Sequence, residues 1–143
     1  MPVRVEKQIN PLDFNSNVAI GIKLPITIDS SNYINLNYTT FDQVKTNLRN
    51  LLMTEPGERF MVPDFGCGLR RKLFEQNTPK LIEDIRTTIL NTVSTWMPFL
   101  QLNRIDVTTD GEHQIGVRLQ YQMKTNEDEN DELILQPIRS TIT

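Results

Sequence analysis

Apolar residues alternate from Ile20 to Ile28, with Ile20, Ile22, Leu24, Ile26 and Ile28 separated by Gly21, Lys23, Pro25 and Thr27. That is the period of two expected of a strand. Pro25 has no N–H to give a ladder, so the strand is expected at a sheet edge or paired with another chain. From Phe41 the spacing turns helical: Phe41, Val44, Leu48, Leu51 and Leu52 share one face, Thr40 and Gln43 stand at capping-box spacing, and Pro56-Gly57 ends the run. A shorter helical stretch, "LRRKLFE" at 69–75, follows. Thr78-Pro79 then offers an N-cap with proline at the first helical position, and the helix can run to Met97 before Pro98 stops it. Its Leu81, Ile82, Ile85, Ile89, Val93 and Trp96 fall within about 120° of the helix circumference, so one stripe packs inward.

Past residue 100 the period returns to two. "LNRIDVTT" and "HQIGVRLQYQM" flank Asp110-Gly111, a dipeptide suited to a two-residue type I′ hairpin turn. In the second strand His113, Ile115, Val117, Leu119, Tyr121 and Met123 point one way and predict one buried face. "NEDENDE" predicts an acidic loop over 125–132, and "ELILQPI" a terminal strand over 133–138. The fold class is therefore α+β, a small helical layer packed on an antiparallel sheet made of a C-terminal hairpin plus a terminal strand. Residues 1–39, poor in helix signals, are expected to form an extended N-terminal arm, and residues 40–143 the domain.

Composition narrows the function. With 143 residues, 38% hydrophobic and 23% charged, the chain has the size and make-up of one folded domain plus an arm. A net charge of -3 gives no reason to expect nucleic acid. No run of about 18 apolar residues offers a membrane span, and "MPVRVEKQINPLDF" lacks the apolar core of a signal peptide, so the protein is expected to stay in the cytosol where it is made. One Cys and one His exclude an internal disulfide and a four-ligand Cys/His zinc site, and no cofactor is implied.

The stretch that invites a catalytic reading is "GERFMVPDFGCG" at 57–68, with "VAIGIK" upstream at 18–23. The kinase reading of Lys23 and the Asp64-Phe65-Gly66 triplet fails, because no Gly-rich loop precedes residue 18 and no His-Arg-Asp loop lies before Asp64. A two-carboxylate glycosidase would have Glu55 and Glu58 as its candidates, against the simpler reading of two solvated glutamates beside a turn. Asn126, Asp128 and Asn130 have part of the spacing of a calcium loop, but Asp131 and Pro137 stand where it needs Gly and Glu. Cys67 could act as a nucleophile beside Arg70, Arg71 and Lys72, with His113 as its base, or could be a small residue tucked between two glycines. The basic residues Arg59, Arg70, Arg71 and Lys72 lack interleaved aromatics and suit a carboxylate-bearing protein partner better than nucleic acid.

"NLRNLLMTEPGERFMVPDFGCGLRRKLFEQNTP", followed by a long helix, a proline and a β-hairpin, closely resembles the baseplate wedge protein of contractile-tailed bacteriophages. That tail-sheath initiator family includes a baseplate component of type VI secretion systems. The similarity runs from about residue 40 to residue 124, and Gly57, Arg59, Pro63, Phe65, Gly66, Leu69, Leu73 and Phe74 are its most specific part. The resemblance implies a structural protein that resembles half of the sheath protein's strand-exchanging domain, in a sixfold ring at the base of the tail tube. Its implied partners are other wedge proteins, the tail sheath protein and the tail tube, with neither nucleic acid nor membrane. Its implied place is the virion's tail baseplate, assembled in the host cytoplasm. Strands would be offered to the first sheath ring by β-augmentation, and two elements suit that use: the strand of Ile20, Ile22 and Leu24, and that of Leu133 and Leu135. Many family members carry Glu-Pro-Arg at the end of the long helix, where it contacts the wedge's helical core bundle. Met97-Pro98-Phe99 stands there in this chain, so Trp96, Met97 and Phe99 either make an apolar contact in its place or complete the domain's own core. Arg59 is expected in a buried ion pair or a partner contact, and Phe65 as a plug in the core. The family has also been labelled lysozyme-like, which keeps a peptidoglycan-cleaving enzyme as the alternative.

Overall fold

The computed structural model describes residues 10–139 apart from 16, 32, 73, 76, 77, 111–113 and 125. The chain divides into two units, 1–48 and 49–143, with the division inside the first long helix.

In the first unit a 3₁₀ turn, Pro11–Phe14, is capped by Asn10, whose side chain accepts from the Leu12 amide, while Asp13 returns the bond to the Asn10 amide. Asp13 is buried and also takes both the amide and the hydroxyl of Thr40, each at 2.8 Å. Thr40 is therefore not the helix cap. Thr39 is: its hydroxyl accepts from the Asp42 amide at 3.2 Å and donates to the Asp42 carboxylate at 2.8 Å, opening helix α1, Thr40–Met53. Two neighbouring threonines offer equivalent hydroxyls to a local rule. The contact with Asp13, 27 residues earlier, separates them.

The alternating stretch Ile20–Ile28 does not form one strand. Regular pairing is confined to β1, Gly21–Ile22, against β2, Leu36–Asn37, with a further bridge between Ile28 and Ile34. The partner strand thus belongs to this same chain. Pro25, which follows a cis peptide bond and has no amide hydrogen, lies in the gap between the ladder and the bridge. Asn37 anchors the hairpin, donating to Gln43 Oε1 at 3.0 Å and to Thr46 Oγ1 at 2.9 Å on α1.

The second unit carries the α+β core. Helix α3, Pro79–Trp96, starts where Thr78 accepts from the Leu81 amide and buries Leu81, Ile85, Ile89 and Val93, four of the six residues of the stripe its spacing predicts; Ile82 and Trp96, at its margins, are half-buried. It packs along β3, Leu100–Asp110, and the short helix α2, Leu69–Lys72, packs against it in turn. Strands β3, β4 (Gln114–Met123) and β5 (Asn126–Arg139) form one antiparallel sheet in that order. On β4 Ile115, Val117, Leu119, Tyr121 and Met123 are all buried, as period two requires; His113 lies outside the described residues. Asp110 pairs with Gln114. A two-residue Asp110-Gly111 turn would instead pair Thr109 with residue 112, so the hairpin tip falls at 111–113, outside the described residues.

Three irregularities tune this sheet. An extra residue in β3, at Asn103, lets both Leu100 and Ile105 reach the core although they are five positions apart. The register of β4 on β5 shifts by one residue near Pro137, which cannot donate to the ladder. It shifts again between Gln122↔Asn130 and Met123↔Asn126. The acidic stretch expected to be a loop is therefore strand, with 127–129 set between the partners of two adjacent β4 residues. Weak strand propensity is overridden there by cross-strand polar bonds. Tyr121 donates to Asp131 at 2.9 Å, Asn103 to Asn130 at 2.7 Å, and Arg118 pairs with Glu132 at 3.2 Å. A calcium loop does not form, because Asn126 and Asn130 are paired in a ladder.

Candidate functional site

The loop "GERFMVPDFGCG" is built by its backbone. The Gly57 amide donates to Pro63 O at 2.7 Å and closes a neck, so residues 58–62 form a projection. The Cys67 amide donates to Thr54 O at 2.9 Å and ties the loop's end to the end of α1. Gly66, at φ 127°, permits that approach: a Cβ there would stand 2.9 Å from the Thr54 carbonyl carbon and nearer still to its oxygen. At the apex Phe60 is 97% and Met61 86% exposed.

Behind the projection three side chains stack. The Arg59 guanidinium lies 3.8 Å from the Phe65 ring centroid, and Phe65 meets Trp96 edge-on at 5.1 Å and 69°. Arg59 is exposed and engages a ring, so of the two expectations for it, a buried ion pair or a partner contact, the buried ion pair does not form. Phe65 is half-buried, a link between loop and helix end instead of a core plug. The structure therefore brings together Arg59 and Trp96, which the sequence offered separately.

The helix end splits its candidate contacts. Met97 is buried and caps α3 through its amide to Val93 O at 2.8 Å, so it belongs to the core. Pro98 is exposed and Phe99 43% exposed, with Phe99 O accepting from the Lys124 amide at 3.0 Å. Among the strand candidates Ile22 is exposed while Ile20 and Leu24 are half-buried. Leu133 and Leu135 are 3% and 2% exposed. Their side chains are spent on the core, and what β5 presents outward is its backbone edge, because β4 is its one neighbour among the described strands.

Sequence reasoning missed the apolar apex, since Phe60 and Met61 carry no periodic signal. It also missed the open groove of about 490 Å³ beside the neck, lined by Glu55, Pro56, Gly57, Glu58, Arg70, Arg71 and Phe74. Glu55 there accepts from the Arg70 amide at 2.7 Å and pairs with Arg71 at 3.5 Å, and Glu58 accepts from the Glu55 amide at 3.1 Å. Both carboxylates thus fold onto their own loop, where a glycosidase pair would face one another across a cleft. Cys67 is buried, and burial, reinforced by the Glu55 charge and opposed by a hydrogen bond with Thr92, pushes its thiol up to about 11. A reactive thiolate at neutral pH is not available from it.

Among the described residues β5 keeps an open backbone edge, and Phe60 and Met61 stand exposed at the apex of the loop. Residues 40–128 match the family described as baseplate wedge protein gp25, and the chain belongs to that family. The baseplate wedge protein gp25 of Enterobacteria phage T4 is 29% identical over 96 residues, covering 65% of this chain and 71% of that protein. A Geobacter sulfurreducens protein whose crystal structure bears the name "putative tail lysozyme" shares the fold, with a TM-score of 0.61 at 20% identity over 72% of this chain and 96% of its own. So do chains of the anti-feeding prophage baseplate, with a TM-score of 0.53 at 23% identity over 80% of each, and of the postcontracted pyocin R2 baseplate, with 0.54 at 19% identity over 69% and 98%. Membership gives the class of work: a structural component of the baseplate of a contractile tail, located in the tail of a phage or phage-like particle.

Proposed function

We propose that this wedge protein initiates the tail sheath by strand pairing, with β5 as the receiving edge for a subunit of the first sheath ring. The observation that carries the reading is the state of β5. It is 14 residues long, it lies at the edge of its sheet, and its inward side chains Leu133 and Leu135 are already buried. Such a strand offers an unpaired row of N–H and C=O groups on a rigid support, which is what β-augmentation uses. Pro137 and the shift beside it limit how far a partner strand can extend. Other wedge proteins and the tail tube complete the partner set, and assembly takes place in the host cytoplasm. The hairpin β1/β2, the exposed Phe99 and the half-buried Trp96 are secondary contact points.

A cysteine placed at Ile134, which is 49% exposed, in a Cys67→Ser background tests the edge. In assembled tails it should be shielded from alkylation and should cross-link to the sheath subunit; free alkylation in complete tails would refute the pairing.

The enzymatic alternative draws on the lysozyme name of the Geobacter sulfurreducens relative. We read the chain as non-enzymatic, because Glu55 and Glu58 are both committed to their own loop. Sustained peptidoglycan release by the purified protein, abolished by Glu55→Gln or Glu58→Gln, would reverse that reading.

A further inference from the structure

We propose that Asp131 gates the receiving edge of β5: its carboxylate occupies the outward-facing amide of Glu132 until the backbone carbonyl of an incoming strand takes its place. This rests on the strand-pairing reading and adds to it the residue that controls access to the edge.

Backbone alternation determines which β5 residues face outward. In an antiparallel ladder the N–H and C=O of successive residues point to opposite edges of the strand. The Lys124 amide donates to Phe99 O at 3.0 Å, which makes Leu100↔Met123 a pair without mutual bonds. Met123 therefore turns its backbone groups toward β5. The one extra residue in this pairing lies in β3, so the alternation runs unbroken along β4, and Tyr121, Leu119 and Val117 bond toward β5 as well. Their partners Asp131, Leu133 and Leu135 spend their backbone groups on β4, while Asn130, Glu132 and Ile134 present theirs to the open edge.

One of those outward groups is taken. The Glu132 amide donates to Asp131 Oδ1 at 2.7 Å, a bond that an amide turned toward β4 would not be free to make. The other oxygen, Oδ2, accepts from the Tyr121 hydroxyl at 2.9 Å, and that ring is fully buried. The carboxylate is thus held from the core side and folded over the edge. A hydrogen bond to a charged acceptor is shorter and stronger than one to a neutral carbonyl, so an incoming strand exchanges a stronger bond for a weaker one at this position. Toward the other end Pro137 has no N–H to offer, and the register shifts beside it. The edge left open in the resting chain is consequently short and centred on Ile134, and shortening an edge is one way proteins keep it from pairing at random. A strand that seats first at Ile134 gains the bonds there, displaces Asp131 and extends its pairing to Glu132 and Asn130.

Amide hydrogen exchange of the isotope-labelled full chain, read residue by residue by NMR and corrected for intrinsic rates, tests the gate. In the parent, Glu132 should exchange about tenfold more slowly than Ile134, since a hydrogen bond to a charged group is worth about that factor or more. Asp131→Ala should bring Glu132 to the rate of Ile134, and Asp131→Asn, which keeps an acceptor oxygen without the charge, should fall between. Each rate is divided by that of Leu133, whose amide bonds to β4, so that a loss of overall stability cancels. A Glu132 amide as fast as Ile134 in the parent, or still slow in Asp131→Ala, refutes the gate. Sheath polymerisation on wedge complexes gives the functional readout: Asp131→Ala should shorten its lag, by up to about tenfold on the same factor, and an unchanged lag with the Glu132 amide released also refutes it. Free alkylation of Ile134→Cys in complete tails would sink the sheath pairing whatever the rate at Glu132. Cross-linking there, together with an unprotected Glu132 amide in the parent, would keep the pairing and sink the gate.

Discussion

Replacing Gly66 by alanine probes the joint on which the loop turns. Its φ of 127° lies where an L side chain is strained, at a cost of about 1–3 kcal/mol. The added Cβ would also stand 2.9 Å from the carbonyl carbon of Thr54 and 3.0 Å from that of Glu55. Both are backbone atoms that cannot rotate away, so overpacking adds about 1–3 kcal/mol. Displacing the Thr54 carbonyl also loosens its 2.9 Å bond from the Cys67 amide, worth about 0.5–1.5 kcal/mol. The expected loss is about 3–6 kcal/mol, a large part of a typical stability of about 5–15 kcal/mol. Gly57→Ala is the internal control, because at φ 96° it is strained but its Cβ meets nothing within 4 Å. Urea unfolding followed by the fluorescence of Trp96, the chain's one tryptophan and a neighbour of Phe65, reads the same unit in both variants. At about 1–3 kcal/mol/M the Gly66→Ala midpoint should fall by at least about 1 M, and further than that of Gly57→Ala. Equal losses in the two variants, within about 0.5 kcal/mol, would show that the close approach to Thr54 does not constrain the loop.

Two other perturbations follow from single contacts. Cys67, raised from its ordinary 9.0 to about 11 by burial, should react with a disulfide reagent at pH 8 about 100-fold more slowly in the folded protein than in urea, from the thiolate fraction alone. Because the folded state holds this proton more tightly, its contribution to stability is complete below pH 9 and is lost as pH rises through 11, by up to about 1.4 kcal/mol per unit; a flat stability profile across that window would contradict it. Tyr121→Phe removes a 2.9 Å bond to the Asp131 carboxylate from a fully buried ring and should cost about 1.5–3 kcal/mol in the same urea assay, whereas an unchanged midpoint would mean that Asp131 is not held through the hydroxyl.

What was legible in the sequence was what local periodicity and turn chemistry determine. Helix α3 has its cap at Thr78 and its buried stripe where spacing places them, and β4 buries alternate residues from Ile115 to Met123. The family stretch around Gly57 to Phe74 was legible for a related reason, since its glycines serve a backbone joint that few other residues allow. Long-range choices were not. Asp13 takes Thr40 and passes the cap to Thr39; Asn103 inserts a bulge that resets the phase of β3; Asp131 and Glu132 enter a strand because Tyr121 and Arg118 wait opposite. Of the candidate site, Arg59 and Trp96 were found as separate residues, but their connection through Phe65 needed the fold. The exposed apex at Phe60 and Met61 gave no signal, because an apolar residue in a loop reads the same whether it is covered or bare.

The central claim is that the outer edge of β5 receives a strand from the sheath. Amide hydrogen exchange of the full-length chain within wedge complexes, before and after addition of purified sheath protein, tests it most directly. Strand pairing predicts new protection concentrated in β5, at 130–136, with that of β3 and of the β1/β2 hairpin little changed. Sheath that polymerises on these complexes while β5 stays as exchangeable as before would contradict the account.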